Sequence, residues 1–217
     1  MHNRFDNILF DLDGTLTDPK EGIKHSILFA LNKLDILENF IDELDTFIGP
    51  PLRESFINRY NLTDEMADMA MKYYREYFSV YGLFENKLYA GVTGLLESLS
   101  SNKYQLFVAT SKPTVYSVEI LTHFKIGKYF KEIIGSNLDN TRTDKTEVIS
   151  HIVSTYGLQA SQSVMIGDRK HDIIGAKNNS MKSIGVTYGY GSPEELVAYQ
   201  PDFIVSNCQE IEALFLK

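Results

Sequence analysis

Short apolar runs recur along the chain, and residues typical of turns bound each of them. We interpret these runs as buried strands, because a strand with one face in solvent would alternate apolar with polar residues. These runs do not alternate. They lie at residues 8–10, 106–109, 164–166, 183–186 and 203–205.

Helical patterns separate these strands. One apolar stripe shares a single helix face and consists of Val148, Ile149, Ile152, Val153 and Tyr156. Strands that alternate with helices predict an α/β fold, in which helices cover both faces of a parallel sheet. Ligands of such sheets bind at the carboxyl ends of the strands, so we expect functional residues directly after the apolar runs.

One long segment, residues 20–89, breaks this alternation. It contains no convincing strand, and its helical patterns lie at residues 22–34, 51–60 and 64–81. A crossover between parallel strands needs only about a dozen residues, so this segment is too long for a single returning helix. We therefore predict an inserted helical domain.

The predicted insertion comprises residues 18–88, and the core comprises residues 1–17 and 89–217. Within the insertion, one stripe of large apolar residues has helical spacing. It could stack against the ring of a ligand, but packing between helices is the favoured prediction. Its members are Met66, Met69, Tyr73, Tyr77 and Tyr81.

Composition and charge exclude several classes of protein and of binding partner. Of the 217 residues, 43% are hydrophobic and 23% are charged, as in ordinary globular proteins. The net charge of −8 has the wrong sign for attraction to a nucleic acid polymer or an anionic membrane.

A single cysteine, Cys208, cannot form an intramolecular disulfide, which favours a reducing, cytoplasmic location. The longest apolar run, at 27–31, is far shorter than the roughly 20 residues of a membrane span.

Two acidic clusters follow predicted strands. Asp11 and Asp13 come directly after residues 8–10, and Asp168 and Asp172 come after residues 164–166. Neighbouring carboxylates repel, and a hard divalent cation bound by oxygen ligands would offset that repulsion. An EF-hand loop is excluded, because its glycine and glutamate do not occur at the required sixth and twelfth positions. The pattern predicts a metal site at this edge of the sheet.

Groups that could bind an anion lie between these clusters. Thr110, Ser111 and Lys112 end another predicted strand, and Lys145 begins a predicted helix. Their hydroxyl, N–H and ammonium groups could hold phosphate oxygens. The loop at 188–191 lacks the third glycine of a dinucleotide-binding motif, so we expect a turn or a loop that lines the site.

Taken in order, these motifs resemble the four motifs of the haloacid dehalogenase superfamily, and of its magnesium-dependent phosphatases in particular. The matching residues are Asp11-x-Asp13-Gly14-Thr15, Thr110, Lys145 and Gly167-Asp168-x-x-x-Asp172. The resemblance covers nearly the whole chain. It implies a Rossmann-like core with a small helical cap, as in phosphoglycolate phosphatases and 5′-nucleotidases.

The resemblance also implies a role for each matched residue. Asp11 would be the nucleophile and Asp13 the general acid and base. Thr110, together with Ser111 and Lys145, would bind the phosphoryl oxygens. The metal would be Mg²⁺, held by the carboxylates of Asp11 and Asp168 and by the backbone carbonyl of Asp13. Asp172 would either bind the metal as well or support the residues that do.

We therefore predict a magnesium-dependent phosphomonoester hydrolase, a monomer or a homodimer, that acts on a small phosphorylated metabolite. The substrate would be phosphoglycolate-like or a nucleoside 5′-monophosphate. A phosphosugar mutase with the same nucleophile and a non-catalytic regulatory binding module stay open as alternatives. A haloacid dehalogenase is disfavoured, because it would need neither Asp13 nor magnesium.

Arg53 is the one predicted specificity residue. It follows Gly49-Pro50-Pro51-Leu52, where the double proline stiffens the entry to a predicted helix. Such a turn could aim the guanidinium at an anionic group of the substrate.

Overall fold

The computed structural model describes residues 5–139 and 141–216. Its strands are β1 (Asn7–Phe10), β2 (Thr17–Asp18), β3 (Lys87–Leu88), β4 (Gln105–Pro113), β5 (Glu132–Ser136), β6 (Ser163–Gly167), β7 (Lys182–Val186) and β8 (Phe203–Val205). Its α-helices are α1 (Lys20–Lys33), α2 (Leu52–Tyr60), α3 (Asp64–Tyr77), α4 (Val92–Ser101), α5 (Thr114–His123), α6 (Lys145–Tyr156), α7 (Lys170–Asn178), α8 (Pro193–Tyr199) and α9 (Cys208–Phe215). Short 3-10 turns lie at Ile41–Phe47, Gly127–Tyr129 and Ala160–Gln162, and a π-helical turn, Phe78–Gly82, follows α3.

Six strands form one sheet in the order β5-β4-β1-β6-β7-β8, and all five of its pairings are parallel. Leu9 of β1 lies opposite Phe107 of β4 on one side and Met165 of β6 on the other. All four residues of β1 are buried. The predicted α/β fold class, a parallel sheet flanked by helices, is confirmed, and β1 ends in the middle of the sheet.

Three strands lie outside the predicted apolar runs: β2, β3 and β5. The edge strand β5 has only two adjacent branched residues, Ile133 and Ile134, and its first residue is exposed, so its pattern is weak. β2 and β3 have two residues each and form a separate two-stranded sheet. β3 corrects the expectation that residues 20–89 contain no strand, because two residues are too few for a hydrophobic pattern.

β4 continues beyond the end that its apolar run predicts. Its register with β5 shifts between Ala109 and Pro113, and pairing resumes where Pro113 lies opposite Ser136. An irregularity of this kind changes the direction of side chains within a strand. Gly135 of β5 permits it, because a Cβ atom there would lie 2.0 Å from the Lys112 carbonyl oxygen. The residues 110–112 therefore lie inside an irregular strand.

The stripe predicted on α6 does pack against the sheet. Val148, Ile149 and Ile152 are fully buried in a cluster with residues of β1, β4 and β6, and Val153 and Tyr156 pack against that cluster. The carboxylate of Asp144 caps the helix by accepting a hydrogen bond from the Thr146 amide at 2.7 Å. The start of α6, and with it Lys145, is therefore held in place.

The chain divides into two compact units. One consists of Met1–Asp18 and Leu88–Lys217, and the other of Pro19–Lys87. The second unit contains α1, α2 and α3 with the turns at Ile41–Phe47 and Phe78–Gly82. Across the described part of the chain, no helix combines the length and the apolar character that crossing a membrane requires.

In this second unit, α3 packs against α1, but not through the whole predicted stripe. Ala67 and Ala70 are fully buried, whereas Met66 and Met69 are 36% and 45% exposed. The buried residues of α3 are Ala67, Ala70 and Tyr74, so the face beside the stripe is the buried one. The predicted packing role is therefore wrong for Met66 and Met69, and also for Tyr81, which is exposed.

Candidate active site

β1 delivers Asp11 to the carboxyl edge of the sheet. The Asp11 amide donates a hydrogen bond to the Ile166 carbonyl at 2.9 Å, which continues the pairing of β1 with β6. The side chain is buried, and its Oδ1 accepts a hydrogen bond from the Leu12 amide at 2.7 Å. Strand pairing and this short contact hold the carboxylate in one position.

Three carboxylates converge at this edge. Asp11, Asp168 and Asp172 are buried, and each offers an oxygen within 4.8 Å of the others. Asp168 follows β6, and Asp172 lies in the first turn of α7, so a helix begins between them as the spacing suggests. Asp172 Oδ2 accepts a hydrogen bond from the Arg169 amide at 3.1 Å, which fixes its orientation.

The electrostatics of this triad favour a cation. Burial raises the pKa of Asp168 to about 8, and the charges of Asp172 and Asp11 add to that effect. Burial also raises the pKa of Asp172 to about 6, although Lys145 opposes the shift. Three buried oxygen ligands of like charge form a donor set that a hard divalent cation prefers. The residues present therefore fit a magnesium ion.

Lys145 supplies positive charge to the triad. Its Nζ lies 2.7 Å from Asp11 Oδ1 and 2.8 Å from Asp172 Oδ1, and it donates a hydrogen bond to the Ala109 carbonyl at 2.9 Å. Burial by itself would lower the pKa of Lys145, but the charges of Asp11 and Asp172 raise it. The lysine is therefore protonated, and it connects the carboxylates of β1 and α7.

Asp13 takes no part in the triad. Its Oδ2 lies 2.5 Å from Lys112 Nζ, and its buried Oδ1 has no hydrogen-bond partner within residues 5–139 and 141–216. Burial raises the pKa of Asp13, and the charge of Lys112 opposes that shift. Sequence reasoning treated Lys112 only as a candidate for phosphate binding, because residues 99 positions apart give no sequence signal of pairing.

The predicted phosphate-binding hydroxyls lie in the irregular part of β4. Thr110 is buried, and its Oγ1 accepts a hydrogen bond from the Lys112 amide at 3.2 Å. Ser111 is exposed. The two residues therefore offer one fixed hydroxyl and one that is open to solvent.

The loop after β7 covers Asp168, as expected of a loop that lines the site. The Tyr190 amide donates a hydrogen bond to Asp168 Oδ2 at 2.8 Å, and the Tyr190 hydroxyl donates one to Asp18. The Tyr188 hydroxyl donates to the Thr15 carbonyl at 3.0 Å. Sequence reasoning assigned no role to these tyrosines, although the repeated Tyr-Gly at 188–191 marks them.

Glycine is required where these loops meet. Gly14 has a φ of +82°, and a Cβ atom there would lie 2.2 Å from Asp168 Oδ2. A Cβ atom on Gly189 would lie 2.3 Å from the Gly14 carbonyl oxygen. The first acidic motif and the loop after β7 can therefore both approach Asp168 only because these positions lack side chains.

Arg53 belongs to the helical unit. Its guanidinium donates hydrogen bonds to Asp64 Oδ1 and Asp68 Oδ1, both at 2.7 Å, and these contacts raise its pKa. Two carboxylates of α3 thus hold the side chain at the start of α2. Its role in substrate recognition stays a prediction.

Comparison with known proteins gives the family. Residues 8–186 match the family model described as haloacid dehalogenase-like hydrolase. The chain belongs to this family.

Similar proteins include phosphatases with two substrate classes. The chain is 49% identical to a 5′-nucleotidase of Pseudomonas aeruginosa over 97% of its own length and 94% of the relative's. It is 27% identical to a phosphoglycolate phosphatase of Vibrio parahaemolyticus, over 94% and 93% of the two chains. A solved structure of a predicted phosphatase from Clostridium acetobutylicum superposes with a TM-score of 0.93 at 46% identity, covering 98% of this chain and 99% of the other. The predicted phosphatase activity is confirmed.

The glycine packing gives a first prediction for this phosphatase. Gly14→Ala should lose most activity, because the added methyl group occupies the space of the Asp168 carboxylate. Gly94→Ala is the matched control, since a Cβ atom there meets nothing within 4 Å; it should keep its activity and gain roughly 0.5–1 kcal/mol in helix α4. Phosphate release and thermal unfolding measure both effects. Equal activity in the two variants would contradict the close packing around Asp168.

Proposed function

We propose that this phosphatase hydrolyses small phosphomonoesters through an aspartyl-phosphate on Asp11, with nucleoside 5′-monophosphates as the preferred class. The observation that carries the proposal is the arrangement of Asp11. Its Oδ1 is held by the Leu12 amide and by Lys145, so Oδ2 is the oxygen that attacks. Asp13, two residues further on, has a buried oxygen without a partner among the described residues, as an acid and base would need.

In the first step, Asp11 Oδ2 forms a bond to phosphorus while the bond from phosphorus to the ester oxygen breaks. The proton of Asp13 moves to the departing oxygen, so the alcohol leaves neutral and Asp13 becomes a carboxylate. Thr110 binds a phosphoryl oxygen, and Lys145 binds another by exchanging one of its three present contacts for it; together they orient the group for attack.

In the second step, a water molecule attacks the phosphorus of the aspartyl-phosphate. Its proton moves to the Asp13 carboxylate, and the bond from phosphorus to Asp11 Oδ2 breaks. Inorganic phosphate leaves, and both aspartates return to their starting states. Asp13 thus acts first as an acid and then as a base.

Phosphatases of this superfamily generally use Mg²⁺, and the buried triad fits such an ion. Asp11, Asp168, Asp172 and the Asp13 backbone carbonyl would hold it. When bound, it supplies positive charge that offsets the negative charge of the phosphoryl group. This requirement is acute in a chain with a net charge of −8.

The preferred substrate class follows from similarity. The 5′-nucleotidase relative is 49% identical to this chain, whereas the phosphoglycolate phosphatase relative is 27% identical. A screen of nucleoside 5′-monophosphates, sugar phosphates and phosphoglycolate tests the choice. A nucleoside 5′-monophosphate should give the highest kcat/KM, and a clear preference for another class would overturn the assignment.

The nucleophile is tested by Asp11→Asn. The variant should fold normally but lose phosphate release by several orders of magnitude, because an amide oxygen is a poor nucleophile. It should also form no phosphoenzyme by mass spectrometry. Asp35→Asn, an exposed position that tolerates asparagine at its positive φ, is the control and should retain full activity. Near-wild-type turnover of pure Asp11→Asn would refute the proposed nucleophile.

The metal site predicts a stability effect as well as an activity effect. A chelator should abolish turnover, Mg²⁺ should restore it, and Ca²⁺ should restore it poorly. Mg²⁺ at about 100 times its Kd should also raise the Tm by roughly 5–10 °C. Asp168→Asn should lose most of that rise, while Asp202→Asn, which removes a carboxylate paired with Lys182, should keep it. Full activity in excess chelator would exclude the metal site.

Arg53 gives a test of specificity. If Arg53 binds the substrate, Arg53→Ala should raise KM for the preferred metabolite and leave p-nitrophenyl phosphate hydrolysis unchanged. Asp68→Asn removes one partner of Arg53 but keeps the guanidinium, so it should not raise that KM. If both variants behave alike, Arg53 only joins α2 to α3.

A further inference from the structure

Lys112 makes a close and sheltered ion pair with Asp13. Its side chain is 7% exposed, that of Asp13 is 19% exposed, and Nζ lies 2.5 Å from Asp13 Oδ2. A surface pair of the same type elsewhere in this unit, Lys182 with Asp202, is 47% and 28% exposed. Exposed ion pairs contribute little to stability, whereas a sheltered ion pair restricts the conformations of both side chains.

The backbone around Lys112 is also held. Its amide donates a hydrogen bond to Thr110 Oγ1 at 3.2 Å. Its carbonyl oxygen lies against Gly135, where a Cβ atom would come within 2.0 Å. The irregular part of β4 therefore presents the Lys112 ammonium to Asp13 from a fixed position.

This contact makes the two oxygens of Asp13 different. A lysine ammonium can only donate hydrogen bonds, so Oδ2, which faces Lys112, must act as an acceptor. The carbonyl oxygen of a protonated carboxyl group is a stronger acceptor than its hydroxyl oxygen, so the contact with Lys112 favours Oδ2 as the carbonyl oxygen and Oδ1 as the oxygen that carries the proton. Oδ1 is the buried oxygen that has no hydrogen-bond partner in the described part of the chain.

We propose that Lys112 is a positioning residue that orients Asp13, so that Oδ1 gives its proton to the departing oxygen and later receives one from water. The inference rests on the proposed acid and base role of Asp13. It differs from the alternative that Lys112 binds the substrate's phosphoryl group directly.

A double-mutant cycle separates these two roles. Asp13→Asn should slow release of an alkyl leaving group by about 10²–10⁴-fold in single-turnover experiments, and much less for p-nitrophenolate, which needs no proton. Lys112→Met should show the same dependence on the leaving group. It should release the alkyl leaving group about 100-fold more slowly than the wild type, and its KM should be unchanged. In the Asp13→Asn background, Lys112→Met should cause no further loss.

Restoration of the ammonium provides a readout that a purely structural role would not show. Lys112→Ala with added propylammonium should regain alkyl-ester turnover, and the same amine should have no effect on Lys112→Ala/Asp13→Asn. Lys182→Met is the matched control and should keep wild-type rates. The rise in Tm caused by Mg²⁺ should persist in the Lys112 variants, which shows that the fold and the triad are intact.

The outcomes distinguish the inference from the function on which it depends. If Lys112→Met slows the Asp13→Asn enzyme by the same factor as it slows the wild type, or raises KM equally for all esters, Lys112 binds substrate and the inference is wrong. If Asp13→Asn shows no dependence on the leaving group, the acid and base role of Asp13 itself fails. An effect of Lys112→Met that vanishes in the double variant supports the positioning role.

Discussion

The buried charge of Lys145 is the constraint on which the site depends. Three carboxylates within 4.8 Å of one another would repel strongly without a nearby cation, and Lys145 contacts two of them, Asp11 and Asp172. Its own position follows from the capped first turn of α6 and from the packing of that helix on the sheet. The core of the fold therefore sets the position of the charge that makes the site possible.

The second cation, Lys112, meets a different requirement. Lys145 lies with the carboxylates that suit a metal and a nucleophile, whereas Lys112 pairs with Asp13. In the proposed mechanism, Lys145 serves the part of the site that binds the phosphoryl group, and Lys112 serves the part that transfers the proton. The irregularity in β4 accompanies this arrangement, because the same irregular segment carries both Thr110 and Lys112, and Lys112 contacts Asp13 in the loop after β1.

Close backbone packing completes the site. Gly14, Gly189 and Gly191 allow two loops to reach Asp168, and the Tyr190 amide then donates a hydrogen bond to it. The Tyr190 hydroxyl donates a hydrogen bond to Asp18. The loop after β7 therefore connects Asp168 with Asp18, the residue at which the segment Met1–Asp18 of the core unit ends. A Cβ atom at any of these glycines would lie within 2.4 Å of an atom of Asp168, so a side chain there would displace that residue.

The sequence by itself determined the parallel sheet, the strands β1, β4, β6, β7 and β8, and the positions of Asp11, Asp168 and Lys145 at the ends of their elements. These features follow from local periodicity and from the turn residues that bound each apolar run, which a short window of residues contains. Only the tertiary structure decided the pairing of Lys112 with Asp13, the strand β5, the buried face of α3 and the contact of Tyr190 with Asp168. The local pattern of β5 is too weak to identify a strand, and the other three features depend on which distant residues approach one another, which no local pattern reveals.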